Sequence, residues 1–205
     1  MKSLLLVFAK TPILGSMKTR LALKIGDQKA FSIYQKLLQK TDSVLNNLKQ
    51  EVVVFYSGEP PTLFENIFKK YRKIAQQGEG MGARMSHAFQ WGFDDGYEKI
   101  IIIGTDLWDL TTPLLQNAFM QLNINDYVIG PALDGGYYLL GCKRFNRNLF
   151  TKKNWSSSTV LEETLEELIG YSVALLDEKN DVDTYKNLLK IPELLYTIKK
   201  NEKID

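Results

Sequence analysis

A loop that follows the first apolar run of the chain combines cationic side chains with residues that break regular structure. Residues 3–9 are almost entirely apolar, as expected of a buried central strand. The cationic residues of the loop are Lys10, Lys18 and Arg20. Pro12 and Gly15 interrupt helix and strand alike, which leaves backbone N–H groups able to face an anion. The loop therefore predicts phosphate binding, with an ordinary solvated surface turn as the structural alternative.

Carboxylates follow two other apolar runs. Residues 100–103 are four isoleucines, and Asp106 comes shortly after them. Asp181 and Asp183 alternate in a segment after the last predicted strand, so in an extended backbone they would face one side. Carboxylate oxygens at strand ends are typical ligands of Mg²⁺, which bridges to phosphates. The structural alternative for each acid is an N-cap of the next helix, a role that Asp109 fits better than Asp106.

A glycine-rich bend at residues 76–85 separates a short predicted strand from a helix. Glycines allow a flat ligand to approach the backbone, and glutamine amides can hydrogen-bond to the edge of a nucleobase. The bend lacks the strict Gly-x-Gly-x-x-Gly spacing of the dinucleotide fingerprint. By itself it is weak evidence for a nucleobase site.

A second glycine pair adjoins a carboxylate. Gly135 and Gly136 impose an unusual backbone path between Asp134 and Tyr137. A functional Asp134 would orient or deprotonate a hydroxyl group, whereas a tight hairpin is the structural alternative. Trp155 would either form an aromatic wall for a sugar or pack in the core.

The composition excludes several classes of function. The formal charge of the 205 residues is +2, without a long basic tract, so we expect no nucleic-acid partner. His87 and Cys142 are single residues of their types in unrelated elements, which disfavours acyl transfer, a disulfide and a thiolate metal cluster. The chain passes directly into a short strand, so we expect no membrane partner and a cytoplasmic protein.

Apolar runs alternate with helical patterns, which is typical of βαβ units. The predicted strands are residues 4–9, 52–56, 73–76, 99–103, 126–129, 137–141 and 172–176. The predicted helices are residues 29–48, 62–71, 81–95, 113–122, 158–168 and 185–195. The connection at residues 130–136 is too short for a helical crossover, so one of the strands it joins is expected to run antiparallel. We predict one α/β domain over residues 1–198, with a mostly parallel mixed sheet of about seven strands, helices on both faces and a tail at residues 199–205.

Five segments together resemble one protein family. They are Lys10-x-Pro-x-x-Gly-x-x-Lys18-Thr-Arg-Leu21, Gly104-Thr-Asp106, Gly130-Pro-Ala-x-Asp-Gly-Gly-Tyr-Tyr-Leu-Leu-Gly141, Trp155-Ser156 and Asp181-Val-Asp-Thr184. The family comprises small GT-A-like proteins described as glycosyltransferases of arsenosugar biosynthesis or as radical-SAM-associated transferases. The resemblance covers nearly the whole chain and implies a Rossmann-like GT-A sandwich. That fold is similar to the fold of the cobalamin, molybdopterin and phospholactate guanylyltransferases.

The resemblance also implies roles for individual residues. Lys18 and Arg20 would neutralise the diphosphate of a ligand, and Asp106 with Asp183 would hold Mg²⁺ or Mn²⁺. The predicted catalytic residues are Asp134, Lys18 and Arg20. The predicted nucleotide-binding residues are Lys10, Gly15, Lys18, Thr19, Arg20, Gln77, Gly78, Gly82 and Arg84. The predicted residues for the acceptor or sugar are Asp134, Gly135, Gly136, Tyr137 and Trp155.

These features predict a metal-dependent glycosyltransferase that moves a sugar from a nucleoside diphosphate sugar to a small hydroxyl acceptor. Two alternatives remain open: a nucleotidyltransferase that releases pyrophosphate, and a non-catalytic nucleotide-binding protein. Whether the protein forms a homo-oligomer is also open. The chain has Gly104-Thr-Asp-Leu-Trp108 where the family is expected to have Gly-Ser-Asp-Cys-Pro. The metal-binding aspartate is retained, while Trp108 is expected to alter the wall beside the metal.

Overall fold

The computed structural model describes residues 2–59, 61–64, 66–155 and 157–200. Within these residues, seven strands alternate with α-helices. The strands are β1 (Ser3–Lys10), β2 (Glu51–Ser57), β3 (Arg72–Ala75), β4 (Lys99–Ile103), β5 (Tyr127–Pro131), β6 (Tyr137–Cys142) and β7 (Val173–Leu175). The helices are α1 (Thr19–Ile25), α2 (Asp27–Leu45), α3 (Gly80–Asp94), α4 (Thr112–Ile124), α5 (Val160–Glu167), α6 (Tyr185–Leu188) and α7 (Pro192–Lys200).

All seven strands form one mixed sheet in the order β3-β2-β1-β4-β6-β5-β7. Strand β6 pairs antiparallel with both β4 and β5, and the other neighbouring strands are parallel. The predicted mixed sheet is therefore confirmed, including the reversal after the short connection between the fifth and sixth strands. Because β6 runs backwards, its first residues lie at the same edge as the carboxyl ends of β1, β4 and β5.

Helices cover both faces of the sheet, as predicted. Alternate residues of β1 point to opposite faces, with Leu5 and Val7 in one buried cluster and Leu4 and Leu6 in another. The first cluster includes residues of α2 and α4, and the second includes residues of α3. Removing these apolar side chains from water is the main force that holds the layers together. A smaller cluster joins α1, α2, α6 and α7.

Two helix predictions differ from the structure, and one helix was not predicted. The predicted helix at residues 62–71 is a short 3₁₀ turn, Pro61–Phe64, followed by turns, and Phe68 has a left-handed φ of 57° that does not continue a helix. Residues 60 and 65 lie outside the described residues. The predicted helix at 185–195 is divided into α6 and α7, because Pro192 suits the first position of a helix better than its interior. Helix α1 was not predicted.

Two further predictions concern the ends and the environment of the chain. Residues 199 and 200 belong to α7, and the rest of the predicted tail, residues 201–205, lies outside the described residues. No described helix combines the length and the apolar composition that crossing a membrane requires.

Candidate functional site

A cleft of about 1220 Å³ opens at the edge of the sheet where β1, β4 and β5 end and β6 begins. Ligands of open α/β sheets commonly bind at this edge. The volume exceeds that of most small-ligand pockets, which is roughly 300–1,000 Å³, so it can hold a ligand with several parts.

The end of β1 is held firmly where the cationic loop begins. The Tyr34 hydroxyl accepts a hydrogen bond from the Lys10 backbone N–H at 3.0 Å and donates one to the Lys10 carbonyl oxygen at 2.7 Å. The Lys10 ammonium group donates to the Ser16 carbonyl oxygen at 3.1 Å, which closes the loop on itself. Burial raises the pKa of Tyr34 to about 12, so this hydroxyl keeps its proton at neutral pH.

The loop then places Lys18 among carboxylates. Lys18 Nζ lies 2.7 Å from Asp106 Oδ1 and 2.8 Å from Asp183 Oδ1, and its side chain is only 5% exposed. Arg20 Nη2 lies 2.7 Å from Asp183 Oδ2, but the Arg20 side chain is 67% exposed. Residues from three distant parts of the sequence therefore meet at one point. We call Lys18, Arg20, Asp106, Asp181 and Asp183 the acid–cation cluster.

The charges of this cluster depend on one another. Burial by itself would lower the pKa of Lys18, but the carboxylates of Asp106 and Asp183 raise it above its usual value. Burial by itself would raise the pKa of Asp183, but Lys18 and then Arg20 lower it below its usual value. Both groups are therefore charged at neutral pH.

The two acidic segments of the cluster pair with each other. The Val182 backbone N–H donates to the Asp106 carbonyl oxygen at 2.9 Å, and Leu107 forms an antiparallel β-bridge with Asp181. We call this short pairing of residues 106–107 with residues 181–182 the acidic ribbon. It holds together acids that lie 75 or more positions apart in the sequence.

Other residues cap the helices that follow these acids. The side chain of Thr184 caps α6 through a capping box with Asn187. The side chain of Thr111 caps α4 by accepting from Leu114 N. The acids of the cluster are thus not helix caps. Asp109, which the sequence favoured over Asp106 as an N-cap, does not cap α4 either.

Asp181 is the member of the cluster that the site prediction left out. Its Oδ1 atom is buried and has no hydrogen-bond partner among the described residues. Burial, followed by the charges of Asp106 and Asp183, raises the pKa of Asp181 to about 7. The alternation of Asp181 with Asp183 was the signal for it in the sequence, but only the tertiary structure shows that it points toward the same cleft.

The carboxylates of the cluster are chemically suited to a divalent cation. Among the described residues, no group of three or more His, Cys, Asp or Glu side chains has the arrangement of a complete metal site. Mg²⁺, however, commonly keeps several waters and uses only one or two protein carboxylates. Asp106 and Asp183 provide two, and the unpartnered Oδ1 of Asp181 provides a buried acceptor beside them. The residues present therefore fit such a cation.

The hairpin between β5 and β6 brings a further carboxylate to the cleft. Asp134 Oδ1 accepts a hydrogen bond from the Gly136 backbone N–H at 3.0 Å. Gly135 has a φ of +88°, and a Cβ atom added to it would lie 2.0 Å from the Ser158 carbonyl oxygen. The glycine pair thus lets the hairpin pack against the chain just before α5, while Asp134 stays exposed beside the cleft.

The glycine-rich bend contributes Arg84 to the cleft, as predicted, but none of the other residues that were predicted there. Gln76, rather than Gln77, lines the cleft, and its Nε2 donates to the Phe55 carbonyl oxygen at 2.9 Å. Gly82 lies beneath Trp155, where an added Cβ atom would be 2.5 Å from the indole Nε1. Arg84 lines the cleft from the first turns of α3.

Most of the predicted site residues come together in the cleft. Those that line it are Lys10, Lys18, Thr19, Arg20, Arg84, Asp106, Asp134, Gly136, Tyr137, Trp155 and Asp183. Those that do not line it are Gly15, Gln77, Gly78, Gly82 and Gly135. The structure adds lining residues that were not predicted, among them Tyr34, Ser57, Gln76, Met81, Ser157 and Asp181.

Two aromatic residues lie in surroundings that differ from those expected from the sequence. Only the ring of Tyr137 is available to the cleft, because its hydroxyl is buried and has no partner among the described residues. Trp108 does not line the cleft and packs instead against the cluster that joins α1, α2, α6 and α7. The expectation that Trp108 alters the wall beside the metal is therefore corrected: Trp108 is not among the residues that line the cleft.

The fold and the position of the cleft place this chain in the class of proteins that have the GT-A-like fold of nucleotide-diphospho-sugar transferases. A crystal structure from Desulfovibrio desulfuricans G20, provisionally assigned as a nucleotide-diphospho-sugar transferase, is 31% identical to this chain. It superposes with a TM-score of 0.85, and the match covers 97% of this chain and 99% of that one. The chain belongs to the DUF2064 family, described as uncharacterized proteins conserved in bacteria, whose model matches residues 40–157.

More distant structures share the fold alone. The 4-diphosphocytidyl-2C-methyl-D-erythritol synthase of Anaerococcus prevotii is 11% identical, with a TM-score of 0.63 over 95% of this chain and 96% of that chain. The manganese complex of Rv0371c from Mycobacterium tuberculosis H37Rv is 12% identical, with a TM-score of 0.61 over 94% and 99% of the two chains. No curated protein matches the sequence.

Proposed function

We propose that this protein is a metal-dependent glycosyltransferase that moves a sugar from a nucleoside diphosphate sugar to a small hydroxyl acceptor. The observation that carries the proposal is the acid–cation cluster, in which Lys18 and Arg20 meet two carboxylates inside a large cleft. The similarity to the Desulfovibrio protein supports the same class of substrate. We further propose that residues 1–198 form the single functional domain.

In this proposal Lys18 and Arg20 bind the diphosphate of the donor. Lys18 provides a buried point charge, and Arg20 provides an exposed planar fork that can reach a second phosphate. Bond cleavage places negative charge on the departing diphosphate, and preorganised cations lower the energy of that state. Lys10 and Thr19, which line the same side of the cleft, complete the loop.

Asp106 and Asp183 would hold Mg²⁺ or Mn²⁺ between the loop and the acidic ribbon. The cation would supply charge neutralisation at the leaving diphosphate. Asp181 adds a third negative charge next to the two ligands, which strengthens the attraction for a divalent cation.

The rest of the cleft would receive the sugar, the acceptor and the nucleobase. Asp134 would position the acceptor hydroxyl or take its proton, since one of its oxygens is already fixed by the turn. Trp155 and the ring of Tyr137 would form the apolar wall. Arg84 and Gln76 would face the base. Gln76 would take the nucleobase-binding role that the sequence predicted for Gln77.

Product analysis tests the proposal. Purified protein would be incubated with UDP-, GDP- and CDP-sugars and Mn²⁺, together with a panel of small hydroxyl compounds. We expect release of nucleoside diphosphate that depends on both the acceptor and the metal. Binding of nucleotide without turnover across the panel would favour a non-catalytic binding protein.

A nucleotidyltransferase is the second candidate, and the cytidyl-transferring enzyme with the same fold favours it. Three cationic side chains on one loop also suit a triphosphate. The two reactions differ in their products. Release of pyrophosphate from a nucleoside triphosphate and a phosphorylated small molecule would replace the first proposal by the second.

A further inference from the structure

At one part of the rim of the cleft, the described residues form neither helix nor strand. Residues 151–155 and 157–159 are described there, between the 3₁₀ turn Arg147–Phe150 and α5. Trp155 of this segment lines the cleft. Since no ladder of backbone hydrogen bonds sets the position of the indole, its side-chain neighbours must do so.

An ion pair between a buried lysine and a partly exposed glutamate attaches this segment to α5. Lys153 Nζ lies 2.6 Å from Glu167 Oε2. The Lys153 side chain is 1% exposed, whereas the Glu167 side chain is 32% exposed. A lysine charge is rarely buried this completely unless it is paired, so the position of Lys153 is set by Glu167. The adjacent Lys152 is exposed and offers a natural comparison.

Trp155 packs within the same group of residues. Its ring lies edge-to-face with Tyr137, at 6.4 Å between centroids and 83° between planes. Gly82 also lies against the indole, and there is no room for a Cβ atom there. Burial, and then the charge of the Glu167 carboxylate, raise the pKa of Tyr137. The ion pair therefore anchors the chain two positions before Trp155, whose indole packs against Tyr137 and Gly82.

We infer that Lys153 is a positioning residue: its ion pair with Glu167 holds Trp155 on the wall of the cleft and so sets how well the nucleotide ligand fits. The second half of this inference rests on the proposed function. Lys153 does not line the cleft and acts through the indole.

Fluorine NMR of protein labelled with 5-fluorotryptophan tests the positioning without any ligand. The chain has three tryptophans, and Trp155→Phe identifies the signal of Trp155. In Lys153→Met, which keeps an apolar stem of similar length, we expect that signal to shift and its H₂O/D₂O solvent effect to increase. Lys152→Met should leave it unchanged, and Lys153→Arg should restore it. An unmoved Trp155 signal in Lys153→Met overturns the inference.

A second variant displaces the indole through a different neighbour, Gly82. Gly82→Ala is expected to move the same signal, because the added methyl group meets Trp155 Nε1 and the Phe150 carbonyl oxygen. If Lys153→Met does not fold, Glu167→Gln replaces it, with the same expected shift.

Nucleotide affinity tests the consequence for the ligand. UDP, GDP and CDP would be titrated with Mn²⁺ into wild type, Lys153→Met and Lys152→Met. We expect Kd to rise about tenfold in Lys153→Met alone, with the metal dependence unchanged. An unchanged Kd beside a displaced Trp155 overturns the link to ligand fit. If wild type binds none of these nucleotides, the proposed function fails, and the NMR experiment alone decides the positioning.

Discussion

The side chains of Lys18 and Lys153 are both almost completely buried, and their surroundings differ. Lys153 meets one carboxylate, that of Glu167. Lys18 meets Asp106 and Asp183, with the buried Asp181 beside them. The first pair is balanced in charge, which is expected of a contact that holds structure together. The acid–cation cluster combines three acids with two cations around the buried Lys18, and the raised pKa of Asp181 reflects the cost of a third negative charge there. A group whose pKa is perturbed by burial and neighbouring charges inside a cleft is typical of a functional site.

The largest expected effect comes from removing the central cation of the cluster. Lys18→Met removes the buried cation that pairs with both Asp106 and Asp183, so we expect the free energy of unfolding to fall by about 3 kcal/mol in the presence of a chelator. Mn²⁺ should recover most of this loss, since a bound cation replaces the missing positive charge. Urea unfolding with and without Mn²⁺ measures both values. A loss that Mn²⁺ does not change would mean that the cluster is structural, like the Lys153 pair.

Removing the carboxylate of Asp181 should raise the free energy of unfolding, whereas removing Lys18 should lower it. The pKa of Asp181 is raised to about 7 in the folded protein, so its ionisation makes folding less favourable as pH rises from about 4 to about 7. With a chelator present, Asp181→Asn is expected to stabilise the protein, by about 2 kcal/mol more at pH 8 than at pH 5.

Thermal or urea unfolding at the two pH values measures this difference. Asp177→Asn, in the exposed part of the same connection, is the matched control and should show little change. A gain that is equal at both pH values would contradict the charge-based explanation.

The smallest losses of stability are expected when the ion pair between Lys153 and Glu167 is broken. The loss should depend on which of the two residues is replaced. Glu167→Gln leaves a buried ammonium without its countercharge and should cost about 2 kcal/mol. Lys153→Met leaves a carboxylate that is one-third exposed and can regain water, so it should cost about 1 kcal/mol. Neither loss should respond to Mn²⁺. Equal losses in urea unfolding would contradict the assigned difference in burial.

The sequence predicts the sheet well because its signals are local. Continuous isoleucines in β4 and apolar residues in β1 identify buried strands, and the short connection before β6 requires a reversal. Lys18 and Asp106 could be assigned to one site because both follow strands of a single sheet edge.

Tertiary contacts decide what the sequence does not predict. Gln76 and Gln77 are neighbours of one type, and only the sheet pairing with β2 shows which of them faces the cleft. Nothing in the sequence indicates that Trp155 fills the space beside Gly82. Lys153 looks like any surface lysine until α5 brings Glu167 beside it.

The most direct test of the central claim is nucleotide binding by Asp106→Asn. Calorimetric titration of UDP, GDP and CDP, each with and without Mn²⁺, would be compared with wild type after circular dichroism has shown that the fold is unchanged. We expect wild type to bind at least one nucleotide more tightly with Mn²⁺, and this metal-dependent gain to disappear in the variant. A variant that keeps the full metal dependence would contradict the assignment of the acid–cation cluster as the cation and diphosphate site.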